Sequence, residues 1–263
     1  MTTAAMHIAR TGLDAQDTRM RVISNNLANV ATTGFKRDRA AFETLSYQVV
    51  TAPGAQSTSE SKYATGLNLG TGVRVQGTSR TETQGSMNQT GNSLDLALDG
   101  GGYFQVQLPG GQLGYTRAGN FSRSPEGLLI TSQGYQVMPG ITIPPNATQI
   151  TIGTDGTVSA EIPGQTGSQN LGQIQIASFP NPAGLQSAGD NYLTETTSSG
   201  AANMGVPGDD GRGKVRQGSL EASNVNVVEE LVDMIETQRA YEVNSKMISA
   251  TDDMLKYVNQ NMS

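Results

Sequence analysis

Both ends of the chain carry apolar residues at helical spacing, and the middle does not. Within residues 4–30, seven of eight positions spaced three or four apart are apolar, with no intervening proline, which predicts a long amphipathic helix. Gly34 is the expected stop signal for this helix. The predicted seam consists of Met6, Ala9, Leu13, Gln16, Met20, Ile23, Leu27 and Val30.

Residues 225–262 show a stronger pattern, with an apolar residue at every seventh position and further apolar residues beside it. Either Asn224 or Asn226 is expected to cap the helix, and Glu229 and Glu230 lie in the first turn, where the helix dipole favours anions. The heptad positions are Val227, Met234, Tyr241, Ile248, Leu255 and Met262, and the stripe is widened by Val228, Leu231, Ile235, Met247 and Met254.

The middle of the chain alternates apolar and polar residues with a period of two, which predicts strands. Asp155-Gly156 between two such runs indicates a hairpin, and we expect an antiparallel β-domain over residues 95–195. Residues 47–66 and 196–213 are predicted to be extended or irregular linkers. The predicted fold class is therefore α+β. The N- and C-terminal helices are expected to pair in a coiled-coil-like manner, and a mostly antiparallel β-domain is inserted between them in the sequence.

Composition favours a subunit of an assembly. Hydrophobic residues make up 35% of the 263 residues and aromatic residues 5%, which is little for one large core and favours either several small cores or burial between subunits. Residues 1–46 hold two more cations than anions, whereas residues 218–263 hold five more anions than cations, and opposite signs favour pairing of the two helices. The net charge of −6 argues against nucleic acid as a partner.

No arrangement of residues for catalysis, metal or cofactor binding emerges from the sequence. The chain has no cysteine and a single histidine, His7, so thiol chemistry and a multi-histidine metal site are excluded. Gly100–Gly102 lacks the Lys-Ser/Thr of a phosphate-binding loop, and Lys36 with its neighbouring arginines is expected to form salt bridges or dock a helix. We expect a structural protein that is not an enzyme and has no cofactor.

Several motifs, in order along the chain, resemble the bacterial flagellar rod and hook protein family. Residues 25–36 resemble its N-terminal signature, residues 217–226 its entry into the C-terminal helix, and residues 238–246 its C-terminal motif. The central region matches at residues 84–104 and 115–121. Within the family, the length and residues 47–66, with Ala52–Gln56 as their core, favour a distal rod subunit over the longer hook subunit.

The resemblance implies three regions. Residues 1–34 and 224–263 would form the inner helical assembly domain, residues 35–94 and 196–223 a connecting region that includes 47–66, and residues 95–195 an outer β-domain. The implied assembly residues of the N-terminal helix are Met6, Leu13, Met20, Ile23, Asn26, Leu27, Asn29, Val30, Gly34 and Phe35; those of the C-terminal helix are Val227, Leu231, Met234, Ile235, Tyr241, Ile248 and Leu255; those of the rod-stiffening segment are Tyr47, Pro53, Gly54, Gln56 and Tyr63.

The implied function is a rigid hollow drive shaft that transmits torque from motor to hook and forms part of the export channel. Implied partners are further copies of the chain in a helical filament, proximal rod proteins, the hook and hook–rod junction, the P- and L-ring proteins and the flagellar export apparatus. The expected location is the basal body, from periplasm to outer membrane, without a cleaved signal peptide or membrane insertion. The alternatives are a proximal rod or hook subunit and, outside the family, a secreted β-rich adhesin or glycan-acting protein.

Overall fold

A computed structural model describes residues 2–54, 56, 64–164 and 167–261 of the chain. The chain divides into two compact units. The helical unit takes its described residues from 1–27, 38–79 and 226–263, and the strand unit from 28–37 and 80–225. Each unit therefore gathers segments that are far apart in the sequence.

Among the residues that the structure describes, two long helices and four strands build the helical unit. Their bounds are α1 Thr2–Ala28, β1 Asp38–Thr44, β2 Tyr47–Thr51, β3 Leu67–Gly70, β4 Val73–Arg80 and α2 Val227–Asn261. Strand β1 pairs with β4, and β2 pairs antiparallel with β3.

The two helices run antiparallel within the helical unit. Arg19 of α1 forms an ion pair of 3.3 Å with Asp233 of α2, and further along α1 Asn26 bonds Glu230. Near the other end, Gly12 lies so close to Asn244 that an added Cβ would be 3.0 Å from the amide nitrogen. This order of contacts confirms that the chain termini form a helix pair.

Capping at the start of α2 is done by Asn226, whose Oδ1 accepts a hydrogen bond of 3.1 Å from the amide of Val228. Asn224, the other candidate, has a different role. In the strand unit its Oδ1 accepts from the Arg37 amide at 2.7 Å, and its Nδ2 donates to the Thr81 carbonyl at 2.9 Å.

Helix α1 ends earlier than expected. It stops at Ala28, and residues 29–34 form turns in which the Thr32 amide donates to the Asn29 carbonyl at 3.1 Å. Gly34 has a φ of +68°, and a Cβ there would lie 2.6 Å from the carbonyl carbon of Arg117. Gly34 is therefore required for close backbone packing inside the strand unit, beyond the end of the helix.

Sixteen strands build the strand unit, and every pairing between them is antiparallel among the described residues. Their bounds are β5 Met87–Gln89, β6 Leu96–Asp99, β7 Tyr103–Gln107, β8 Leu113–Thr116, β9 Ser122–Arg123, β10 Leu129–Ile130, β11 Gln136–Val137, β12 Gln149–Ile152, β13 Thr157–Glu161, β14 Ser168–Gln173, β15 Ile176–Ser178, β16 Gln186–Gly189, β17 Tyr192–Thr194, β18 Asn203–Gly205, β19 Lys214–Gln217 and β20 Ser219–Glu221.

A nine-stranded sheet forms most of the strand unit. Its main path is β16-β17-β8-β7-β11-β10-β9, with β15 bridging β7 and β18. A second sheet contains β12, β13 and β14, and the pairs β19-β6 and β20-β5 complete the unit. The apolar residues of the alternating runs form its core, which is centred on Leu96, Leu98, Phe104, Val106, Ile152, Val158, Ile174 and Ile176.

The α+β prediction is confirmed, as is the hairpin at Asp155-Gly156, where Ile152 of β12 pairs with Val158 of β13. Residues 196–213 differ from the predicted linker. They contain β18, which pairs with β15, and Arg212, which is buried and forms an ion pair with Asp210. Ladder hydrogen bonds and a buried guanidinium order a segment that is low in apolar residues.

Candidate assembly surface

The large apolar side chains left exposed by the structure are concentrated in the helical unit. In the described part of the chain, Leu113 is the one such side chain in the strand unit. The others are Ile8, Phe42, Tyr47, Val49, Val50, Leu67, Leu69, Val227, Val228, Leu231, Val232, Ile235, Tyr241, Val243, Met247, Met254 and Tyr257. A large exposed apolar set of this kind is typical of a surface that another protein covers.

Helix α2 has two apolar faces. One face packs within the unit, where Met234, Ile248 and Leu255 are partly buried. The other face is open: Leu231 is 43% exposed and Ile235 is 51% exposed. A single partner helix therefore leaves much of the apolar surface of α2 uncovered.

The N-terminal assembly residues separate into two groups. Six of them belong to α1, lie in the helical unit and have buried or partly buried side chains: Met6, Leu13, Met20, Ile23, Asn26 and Leu27. Asn29, Val30, Gly34 and Phe35 belong to the strand unit instead. Of the C-terminal residues, Val227 and Tyr241 are exposed to 38% and 42%.

Asn26 joins three elements of the helical unit through side-chain hydrogen bonds. Its Nδ2 donates to the Asp38 carbonyl at 2.9 Å and to Glu230 Oε2 at 3.2 Å, and its Oδ1 accepts from the Asp38 amide at 3.0 Å. Asn26 and Glu230 are both buried. One amide group thus fixes the end of α1, the start of β1 and the first turn of α2 together, a role that apolar periodicity does not reveal.

The hairpin of β2 and β3 exposes apolar residues on both faces. Gln48 pairs with Leu69 and Val49 with Asn68, so Val49 and Leu69 point to opposite sides. Tyr47 is 61% exposed, the highest value among the large apolar residues of the hairpin. Pro53, Gly54 and Gln56 are exposed, and Tyr63 lies outside the described residues.

The strand unit contains a buried ionic cluster. Lys36 Nζ lies 2.6 Å from Glu221 Oε1 and donates to the Thr83 carbonyl at 2.8 Å, and Arg117 Nε lies 3.6 Å from Glu221 Oε2. Burial lowers the pKa of Lys36 from its usual value, and the bond to Glu221 opposes that shift. The expectation that Lys36 forms a salt bridge is confirmed, whereas its partner had no signal in the sequence.

Tyr103 borders this cluster. Its hydroxyl donates to Glu82 Oε2 at 2.7 Å, and the Arg117 guanidinium lies 5.8 Å from the centre of its ring. Burial, followed by the charge of Glu82, raises the pKa of the Tyr103 phenol well above its usual value of 10.0. The phenol is therefore a hydrogen-bond donor throughout the physiological pH range.

A cavity of about 130 Å³ in the strand unit is lined mainly by hydroxyl and amide side chains, with one carboxylate, Asp190. Within it, Asn191 Nδ2 already donates to the Thr33 carbonyl, and the Tyr192 hydroxyl to Gln133. Across the described residues, no group of three or more potential metal ligands comes together.

Neither α1 nor α2, over the residues that the structure describes, is long and apolar enough to cross a membrane.

Three family models match separate parts of the chain. The model described as "Flagella basal body rod protein" matches residues 6–36. The "Flagellar hook protein FlgE/F/G D1 domain" matches residues 97–160, and the "Flagellar basal body rod FlgEFG protein C-terminal" model matches residues 216–261.

Individual relatives match over almost the full chain. The chain is 50% identical to the flagellar basal-body rod protein FlgG of Buchnera aphidicola subsp. Acyrthosiphon pisum, over 97% of this chain and 98% of the relative. It is 47% identical to FlgG of Caulobacter vibrioides, with the same coverage. The basal-body rod protein FlgF of Caulobacter vibrioides is 36% identical over 92% of each chain, so this chain is closer to FlgG than to FlgF of that bacterium.

Proposed function

We propose that this chain, which belongs to the family of flagellar basal-body rod proteins and is a structural subunit of the rod, polymerises into a rigid hollow shaft, the distal rod. The family resemblance predicted from its sequence motifs is confirmed. A proximal rod or hook subunit is not favoured, because the relatives that match over almost the full chain are rod proteins and identity is higher to FlgG than to FlgF.

The distribution of exposed apolar residues is the observation that carries the polymerisation proposal. The helical unit exposes seventeen large apolar side chains among the described residues, whereas the strand unit exposes Leu113. Neighbouring copies that cover the open face of α2 would bury its exposed apolar side chains. Each Å² of apolar surface removed from water stabilises the assembly by about 25 cal/mol. We therefore infer that the helical unit is the inner, subunit-binding part and the strand unit the outer part.

Residues 47–66 are proposed to stiffen the shaft. A two-stranded ribbon with apolar residues on both faces can be buried only between two surfaces, and Val49 and Leu69 give β2 and β3 this property. Wedged between neighbouring copies, the ribbon would resist bending. The stiffening role includes Tyr47, Pro53, Gly54 and Gln56, and Tyr63 beyond the described residues.

The proposed setting follows from the shaft. Proximal rod proteins would bind one end and the hook or hook–rod junction the other, while P- and L-ring proteins surround the shaft. The shaft would transmit torque through the periplasm, and its bore would pass subunits from the export apparatus, which would also deliver this chain. We expect no muralytic activity, and a dye-release assay on purified peptidoglycan checks this.

Electron microscopy of filaments made from purified protein tests the proposal. The full chain should give straight hollow filaments at high concentration. Deletion of residues 47–66 should leave polymerisation intact and shorten the bending persistence length of the filaments, because the wedges between copies are gone.

Two outcomes would contradict the proposal separately. Filaments of the deletion variant that are as straight as those of the full chain would refute the stiffening role. Failure of the full chain to polymerise at any concentration would refute the shaft. Thermal unfolding of the strand unit serves as the control, because residues 47–66 lie outside that unit and its transition should not change.

A further inference from the structure

The strand unit holds its two terminal segments side by side. Residues 28–37 enter it from α1, and residues 219–225 leave it toward α2. The Gly34 amide donates to the Glu221 carbonyl at 2.8 Å, and the Asn224 amide to the Phe35 carbonyl at 3.4 Å. The two segments are far apart in sequence, yet each supplies hydrogen-bond partners for the other.

A buried ionic contact joins these segments in addition to the backbone hydrogen bonds. The Glu221 side chain is fully buried and lies between two buried cations, Lys36 at 2.6 Å and Arg117 at 3.6 Å. Its Oε1 also accepts from the Gly85 amide at 3.0 Å. A single carboxylate from the C-terminal segment therefore pairs with a cation from the N-terminal segment and also faces a second cation, Arg117, which directly follows β8.

Neither terminal segment can dock well alone. A buried charge is tolerated when it is paired and hydrogen-bonded, and removal of one partner leaves the other charge uncompensated. Without Glu221, the Lys36 and Arg117 cations would be buried beside one another. The nearby Glu82 carboxylate accepts the Tyr103 hydroxyl and lies on a different stretch, so it does not replace Glu221.

We propose that Lys36, Arg117 and Glu221 form an ionic clasp that makes the two terminal segments of the strand unit dock and open as one cooperative unit. Residues 34–37 are then ordered only when residues 219–224 are docked, and residues 219–224 are ordered only when residues 34–37 are docked. If the chain polymerises as proposed above, a subunit whose C-terminal segment has not yet docked would not hold its N-terminal segment in position for assembly.

Native-state hydrogen exchange of the full-length, dilute protein tests the clasp. Glu221→Gln keeps the size of the side chain and removes its charge. The amides of residues 34–37, Gly85 and residues 219–224 should then exchange faster by a common factor of about a hundredfold, because they share one opening reaction. Glu161→Gln, at an exposed carboxylate of β13, is the matched control and should change none of these rates.

Lys36→Met tests the same clasp from the other end and covers the case in which E221Q does not fold. It should accelerate exchange in residues 219–224, although it lies in the other segment. The double variant should accelerate exchange by less than the product of the two single factors, since the charges no longer require one another.

Two results would overturn the proposal. If Lys36→Met accelerates exchange in residues 34–37 alone and leaves residues 219–224 at wild-type rates, the segments open independently and the clasp does not couple them. Multiplicative effects in the double variant would likewise show that the two charges act independently. Because the exchange is measured on the monomer, its outcome is independent of whether the chain forms a shaft.

Discussion

Truncation of two side chains on the open face of α2 gives the sharpest test of the assembly surface. Leu231 and Ile235 are one helical turn apart, and both are about half exposed. Changing both to alanine removes apolar surface that nothing in the described chain covers. Alanine is the best helix former, so α2 itself should not be weakened.

The expected magnitude follows from burial. Complete burial of a leucine or isoleucine side chain stabilises by about 1.5–3 kcal/mol, so covering the exposed half of each is worth about 1 kcal/mol. Together the two side chains contribute about 2 kcal/mol per subunit added, which corresponds to about a thirtyfold change in the association constant. The critical concentration for polymerisation should rise by the same factor.

Sedimentation of filaments at a series of protein concentrations measures the critical concentration. Leu113→Ala is the control, because Leu113 is comparably exposed, at 41%, but lies in the strand unit. We expect the control to polymerise like the wild type. An unchanged critical concentration for the double variant would show that neighbouring copies do not cover this face of α2.

Three further predictions concern single side chains and the dilute chain. Asn26→Ala should lower the free energy of unfolding of the helical unit by about 3 kcal/mol in urea titrations of assembled filaments, because buried partners lose hydrogen bonds, whereas the exposed Ser24→Ala should have little effect. The raised pKa of Tyr103 means that its contribution to stability is fully present below pH 10 and is lost as the pH rises. Tyr103→Phe should therefore flatten the fall in stability above pH 10, by up to about 1.4 kcal/mol per pH unit, and an unchanged slope would contradict the assignment. Circular dichroism of the dilute monomer should show less helix than the 27 residues of α1 and 35 of α2 until polymerisation covers their apolar faces, and a stable, fully helical monomer would count against this.

The sequence predicts those parts of the fold that depend on local periodicity. The three-and-four spacing of α1 and the sevenfold spacing of α2 identify both helices to within a few residues, because one buried face imposes that repeat. The hairpin at Asp155-Gly156 is also predictable from local sequence, because a tight turn requires a positive φ that glycine adopts readily. Gly156 has a φ of +78°.

Periodicity does not predict which apolar residues of α2 pack against the rest of the helical unit and which remain exposed. Met234 and Ile235 are adjacent and both apolar, yet the first is partly buried within the unit and the second is 51% exposed. The choice depends on where α1 lies, which is a tertiary property. The sequence consequently shows a wide stripe, and the structure divides it into an internal seam and an open face.

Long-range polar pairs are also invisible to local patterns. Lys36 and Glu221 are 185 residues apart, and neither has neighbours that mark it as buried. Asn224 is a good capping residue by type, but the backbone of residues 35–37 and 81–83 engages its amide groups before the helix begins. Such partners become evident only when the strands that carry them are in register.

Electron microscopy of the full chain beside a trimmed version tests the central claim most directly. The trimmed version keeps residues 28–37 and 80–225, joined by a short linker in place of residues 38–79, and so retains the strand unit without the helical unit. At high concentration the full chain should form straight hollow tubes, and the trimmed chain should stay dispersed. Tubes formed by the trimmed chain would show that the helical unit is not what joins the copies.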